Sequence, residues 1–254
     1  DAFGDVPRCA GPDGVHDESH GHGVPGPGGG CDPFSGRDGP AVTEGGEDGA
    51  EVLGSGHVGV SLGGNALMRW AGLCGTRARA VVAGLAAVSA PLDLTASGQA
   101  LGQGFNKYVY TRLFLKTMRP KALEKWAQHP GLFDREKVVG ARTLREFDNA
   151  FTAPVHGFSH VRDYWERASA KPVLRDIAAP ALLLNALNDP FVPAWSLPQR
   201  HQVSSAVHLW QPRLGGHVGF PGKCPGRPWS FQVETMPHAV LTWLRAHIGP
   251  EHSL

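Results

Sequence analysis

Apolar positions fall into two regimes along the chain, sparse and unpatterned through residue 52, patterned from Leu53 onward. Val58 and Val60 mark a short strand, a weak one, because Gly54, Ser55, Gly56 and His57 interrupt the apolar run before it. The spacing of Leu67, Trp70, Ala71 and Cys74 puts four apolar side chains on one face of a helix over 65–74, with Gly75 as its stop. Residues 80–89 form an almost unbroken apolar run ended by Pro91, the pattern of a strand buried on both faces. Two further strands are predicted over 180–186 and 206–210. A last helix starts near Thr235 with Pro237 in its first turn, carries Met236, Val240, Trp243, Leu244 and His247 at helical spacing, and ends at Gly249-Pro250. Strands alternating with helices predict an α/β domain over 53–254, its mostly parallel sheet flanked by helices on both faces.

Residues 95–172 break that alternation. They show helical periodicity, are rich in aromatics (Phe105, Tyr108, Trp126, Phe147, Phe151, Tyr164, Trp165) and contain no convincing strand. A helical insertion of this length between two strands is expected to form a lid over a pocket.

Composition sharpens the boundary near residue 52. Residues 1–50 hold 14 Gly and 6 Pro, ten acidic against two basic residues, and no Leu, Ile, Met, Trp, Tyr or Lys. Such a segment cannot bury enough apolar surface to offset its ordering entropy, so 1–52 reads as disordered or as an aberrant translation. Cys9, His16, His20, His22 and Cys31 lie within it, at spacings that match no zinc pattern, and a metal-binding role is the weakest reading of the chain. The first fifty residues carry −8, so the rest carries +9 of the total +1; that excess is spread as single Lys and Arg residues, which argues against a nucleic-acid partner. The four cysteines form no CxxC, and the longest apolar run, 78–94, is too short and too interrupted to be a transmembrane segment. Reduced thiols and a cytoplasmic location are the expectation.

The chemistry centres on Gly59-Val60-Ser61-Leu62-Gly63, followed at once by the amphipathic helix. Gly-x-Ser-x-Gly between a strand and a helix is the form of a nucleophile elbow, the glycines at 59 and 63 are expected where a Cβ would collide with the tight turn, and Gly64 at the helix start permits close helix–sheet contact. Two other reactive residues follow predicted strands, Asp189 in Asn188-Asp189-Pro190-Phe191 and His217 in Gly215-Gly216-His217. The order nucleophile, acid, base is that of α/β-hydrolases. A serine hydroxyl needs a base to take its proton, and an imidazole serves if a carboxylate fixes its tautomer. Asp93 also follows a strand and rivals Asp189; Pro190 favours Asp189 by restricting the residue before it. Among the 13 histidines, His156 reads as a lid or pocket residue and His208 as a packed or exposed strand residue.

Six stretches taken together resemble the YheT-like family of α/β-hydrolases, relatives of short-chain carboxylesterases and acylglycerol lipases. They are 59–67 (Gly-Val-Ser-Leu-Gly-Gly-Asn-Ala-Leu), 88–94 (Val-Ser-Ala-Pro-Leu-Asp-Leu), 145–148, 152–158, 188–191 and 215–220. The resemblance implies an α/β-hydrolase fold, Ser61 as nucleophile, Asp189 as acid and His217 as base. It implies hydrolysis of a small-molecule ester through an acyl-enzyme, without metal or organic cofactor, and the aromatic, Leu-rich segment 105–165 points to an apolar acyl group. Members of the family also have an earlier set of strands, with a His-Gly loop supplying part of the oxyanion hole, and residues 1–57 show no such set of strands. The backbone N–H of Leu62 is one oxyanion donor; the second comes from a loop after an early strand. The alternative is therefore an impaired or inactive remnant of such a hydrolase, acting at most as a binding module.

Overall fold

The computed structural model describes residues 55–220, 222–224, 227–232 and 235–248. Residues 1–52, with Cys9, His16, His20, His22 and Cys31, lie outside the described residues.

Four strands, β1 (Ser55–Val60), β2 (Val82–Val88), β3 (Ala181–Leu184) and β4 (Val207–Trp210), pair in parallel in the order β1-β2-β3-β4. Helix α1 (Leu62–Cys74) links β1 to β2, and Gly75 closes it at φ 55°. Alternate residues of β2 face opposite layers. Leu85 and Ala87 join Leu67, Met68 and Ala71 of α1, while Ala86 and Val88 join Leu182 and Leu184. The terminal helix, Thr235–Ile248, adds Val240 and Leu244 to that second cluster, so it covers the face opposite α1. Strands β2 and β3 are nearly all buried, which is why their sequences read as continuous apolar runs. Strand β1 is an edge of the described sheet, and its Val58 and Val60 are 48% and 45% exposed. That half-exposed setting explains its faint apolar signal.

Between β2 and β3 the chain is helical, as expected for 95–172. The insertion runs through α2 (Leu94–Leu101), α3 (Gly104–Asn106), a π-helical turn at Lys107–Thr111 and α4 (Arg112–Gln128). It continues through α5 (Arg135–Gly140), α6 (Leu144–Phe147), a second π-helical turn at Asp148–Thr152, α7 (Ala153–Val155) and α8 (Val161–Ala168). Side chains of Asp93, Asp134, Thr143 and His160 accept N–H groups at the starts of α2, α5, α6 and α8. Leu115, Phe133, Val138 and Phe147 give the insertion a core of its own.

Buried Asn65 of α1 docks the far end of the insertion. Its Nδ2 donates to the Ala168 carbonyl at 2.9 Å and its Oδ1 accepts the Ala170 N–H at 2.9 Å. Asn65→Ala strands both backbone groups and should cost about 2–4 kcal/mol, read as a lower urea midpoint at unchanged slope.

Asp148 lies inside the insertion, accepting from Trp165 Nε1 at 2.9 Å and Thr152 Oγ1 at 2.7 Å. Burial pushes its carboxyl up to about 6, although both hydrogen bonds favour the ionised form. A carboxyl raised in the folded state holds its proton there longer than in the unfolded chain. Its favourable contribution is therefore complete at low pH and is lost as pH rises through about 6, by roughly 3 kcal/mol. Asp148→Asn removes this titration, so the stability of the variant relative to the native chain should rise between about pH 4 and pH 7, measured by urea unfolding at both.

After β4 come two elements the apolar pattern does not predict, the antiparallel strands β5 (Gly222–Cys224) and β6 (Arg227–Gln232). Gly222, Pro225, Gly226 and Pro228 give that stretch the composition of a loop. The terminal helix is α9 (Thr235–Ile248). Among the described residues no helix is long and apolar enough to cross a membrane.

Candidate active site

Strand β1 ends at Val60 and α1 begins at Leu62, so Ser61 makes the turn between them. It does so at φ 53° and ψ −126°, a conformation side-chain-bearing residues rarely adopt and one that costs of order 1–3 kcal/mol. The surroundings hold it there. Its N–H donates to the Val88 carbonyl at 2.8 Å, and its own carbonyl accepts the N–H of Gly64 at 3.0 Å. The close approach falls on Gly59 and Gly64. A Cβ on Gly59 would lie 2.7 Å from the Gly63 carbonyl oxygen, and one on Gly64 would lie 2.8 Å from the Gly59 oxygen and 2.9 Å from Ala90 Cβ. The expectation of a collision at Gly63 is corrected: no described atom lies within 4 Å of a Cβ there. Helix and strand touch at Gly64 because the helix axis brings that residue, and not its neighbour, over the sheet.

Asp189 sits in the loop after β3, its side chain fully buried. Oδ1 accepts the Phe191 N–H at 2.8 Å, and Oδ2 lies 2.9 Å from His217 Nδ1. His217 comes from the loop after β4, and its Nε2 lies 2.9 Å from Ser61 Oγ. Three side chains from three strand ends thus form one hydrogen-bonded line. An ionised carboxylate can only accept, so Nδ1 carries the ring hydrogen and Nε2 is left with a lone pair facing the serine hydroxyl. That arrangement can take a proton from Ser61 and stabilise the imidazolium that results.

The rival residues are engaged elsewhere. Asp93 Oδ1 accepts the Ala96 N–H at 3.0 Å, and its Oδ2 lies 3.8 Å from Lys171 Nζ. His208 lies on β4 with its side chain exposed. His156 follows α7; desolvation by its surroundings and the charge of Lys125 hold its imidazole below its usual range.

Three neighbours of His217 escaped the sequence reading. Asn188 Oδ1 accepts the N–H groups of Gly215 and Gly216 at 2.9 Å each, fastening the His217 loop to the Asp189 loop. Ser89, buried at the end of β2 with φ 52°, donates its hydroxyl to the His217 carbonyl. The Phe191 ring packs on the imidazole with centroids 4.5 Å apart. Tyr110 and Phe114 of the insertion pack edge-on against Phe191, at 4.6 and 5.7 Å, and Asn106 Nδ2 donates to the Pro190 carbonyl at 2.6 Å. Asn188 and Phe191 flank the acid in Asn-Asp-Pro-Phe, so adjacency to Asp189 was an available signal; Ser89 offered none.

No family model matches the chain. Over 191 residues it is 34% identical to "Putative esterase YheT" of Escherichia coli (strain K12), covering 74% of this chain and 55% of that protein. The chain belongs to the YheT-like α/β-hydrolase family. This YheT-like chain is also 30% identical over 201 residues to human "Phospholipase ABHD3", covering 77% of the chain and 47% of the relative. Among solved structures, the monoacylglycerol lipase of Paleococcus ferrophilus aligns at 20% identity and a TM-score of 0.40, over 76% of this chain and 69% of that one. The YheT-like chain spans about half the length of the curated relatives it matches.

Proposed function

We propose that this chain hydrolyses carboxylic esters by acyl transfer to Ser61. The observation that carries the reading is His217, within 2.9 Å of both Ser61 Oγ and Asp189 Oδ2. The names of the YheT and ABHD3 relatives support ester hydrolysis as the reaction class. Ser61 Oγ attacks the ester carbonyl carbon while Nε2 of His217 takes its proton. The oxyanion of the tetrahedral intermediate lies beside the N–H of Leu62, the first residue of α1, where the helix dipole also favours negative charge. Nε2 then gives the proton to the departing alkoxide. Water attacks the acyl-enzyme, its proton passes to Nε2, and the acid leaves as Ser61 regains its hydrogen. Asp189 fixes the imidazole throughout, and neither metal nor organic cofactor enters these steps. The helical insertion acts as a lid, with Tyr110, Phe114 and Phe191 as an apolar wall for the acyl group.

A catalytically impaired hydrolase is the second reading. One observation favours it: residues 1–52 show no apolar strand pattern, and the second oxyanion donor of an α/β-hydrolase comes from a loop after an early strand. Loss of one such donor lowers turnover about 100- to 1000-fold but leaves the nucleophile and base in place. Acid quenching during turnover of p-nitrophenyl butyrate tests the proposal. An acyl group recovered on the Ser61 peptide supports it, and slow turnover with that acyl group present selects the impaired form. Hydrolysis without acylated Ser61 defeats both.

A further inference from the structure

One helix face of the insertion reverses the usual pattern, with apolar side chains turned to solvent. Phe105, Tyr108, Val109 and Leu113 are 70%, 62%, 41% and 55% exposed. Their spacing along the continuous helical run of α3, the π-helical turn and α4 places them on one stripe, with exposed Arg112 and Lys116 between and after them. The Arg112 guanidinium lies 5.8 Å from the centre of the Tyr108 ring, so the cation is carried by the apolar surface. Cations predominate along the run: residues 104–128 hold six Lys and Arg against one acidic residue, Glu124. The other side of the same run carries Tyr110 and Phe114, which meet Phe191.

We propose that this stripe docks the protein on a lipid surface bearing anionic headgroups. A contiguous exposed apolar patch marks an interaction site. Its mixture with cations decides which kind. Protein interfaces are depleted in Lys, whereas a helix lying in a membrane interface pairs buried aromatic and aliphatic side chains with Lys and Arg that reach anionic headgroups. Phe105, Val109 and Leu113 enter the headgroup–acyl boundary, Tyr108 keeps its hydroxyl in the wet layer, and Arg112 and Lys116 take the headgroup charge. Docked this way, the helix presents its opposite face, with Tyr110 and Phe114, toward His217. The docking goes beyond ester hydrolysis and is measured without it.

The test is co-sedimentation of the Ser61→Ala protein with vesicles of phosphatidylcholine, with and without phosphatidylserine. Binding is expected to the phosphatidylserine vesicles, to weaken with added salt, and to fall about tenfold or more in both Tyr108→Ser/Leu113→Ser and Arg112→Glu/Lys116→Glu. Circular dichroism and, in the Ser61 background, hydrolysis of a monomeric short-chain ester should be unchanged in those variants, separating lost docking from misfolding. Equal binding to both vesicles, no binding, or full binding by either double variant would overturn the proposal. So would a dimer in solution that the apolar double variant dissolves while no vesicle is bound, since the stripe would then be a contact between copies.

Discussion

Ser61→Ala is expected to lower kcat for a p-nitrophenyl ester by about a million-fold, the size of loss when a serine that works as a unit with its base is removed. The reason is geometric. Ser61 is the residue whose hydroxyl faces His217 Nε2, at 2.9 Å, and its positive φ is kept by backbone hydrogen bonds that alanine retains. The fold of the variant should therefore be intact, with an unchanged urea midpoint or a small gain from relieved crowding. A further His217→Ala change in the same chain should add almost nothing, because neither side chain acts without the other. Activity within tenfold of the native chain would remove Ser61 from the reaction.

Asp189→Asn should lower kcat by roughly ten-thousandfold with the site geometry retained. The local hydrogen bonds say why an isosteric change is so costly. Oδ1 of Asp189 accepts the Phe191 N–H, so an asparagine keeps its carbonyl oxygen there and turns its amide toward His217 Nδ1. Two donors cannot face each other, and the neutral imidazole answers by moving its hydrogen to Nε2. Nε2 then donates toward Ser61 and cannot accept the proton. KM should move little. Asp93→Asn is the matched control: its Oδ1 caps α2, an acceptor that asparagine retains, so stability should change little and kcat not at all.

The parts of the fold that were legible are those whose burial is symmetric. β2 and β3 are covered on both faces, and Val82–Val88 and Ala181–Leu184 announce it as apolar runs. β1 was faint because Val58 and Val60 are half exposed, and the pair β5 and β6 was invisible behind Gly and Pro. Ser61, Asp189 and His217 could be picked out because each follows a strand, in an order that constrains them as a set. Gly64 was legible too, as the glycine that lets helix and sheet approach closely; that a Cβ at Gly63 would meet open space was not, since it depends on the helix axis. Nor was Ser89: its bond to the His217 carbonyl joins residues far apart in sequence, and no local pattern signals such a pairing. The two π-helical turns likewise leave no mark in the spacing of apolar residues.

The central claim is that one hydroxyl is made reactive by one imidazole held by one buried carboxylate. A fluorophosphonate probe reports on this most directly, because it phosphonylates an activated serine and does not require turnover. Intact mass and peptide mapping should show a single adduct, on the Ser61 peptide, absent in Ser61→Ala and strongly slowed in His217→Ala and Asp189→Asn. An adduct on another serine, or labelling of Ser61 at the native rate after His217→Ala, would contradict the account.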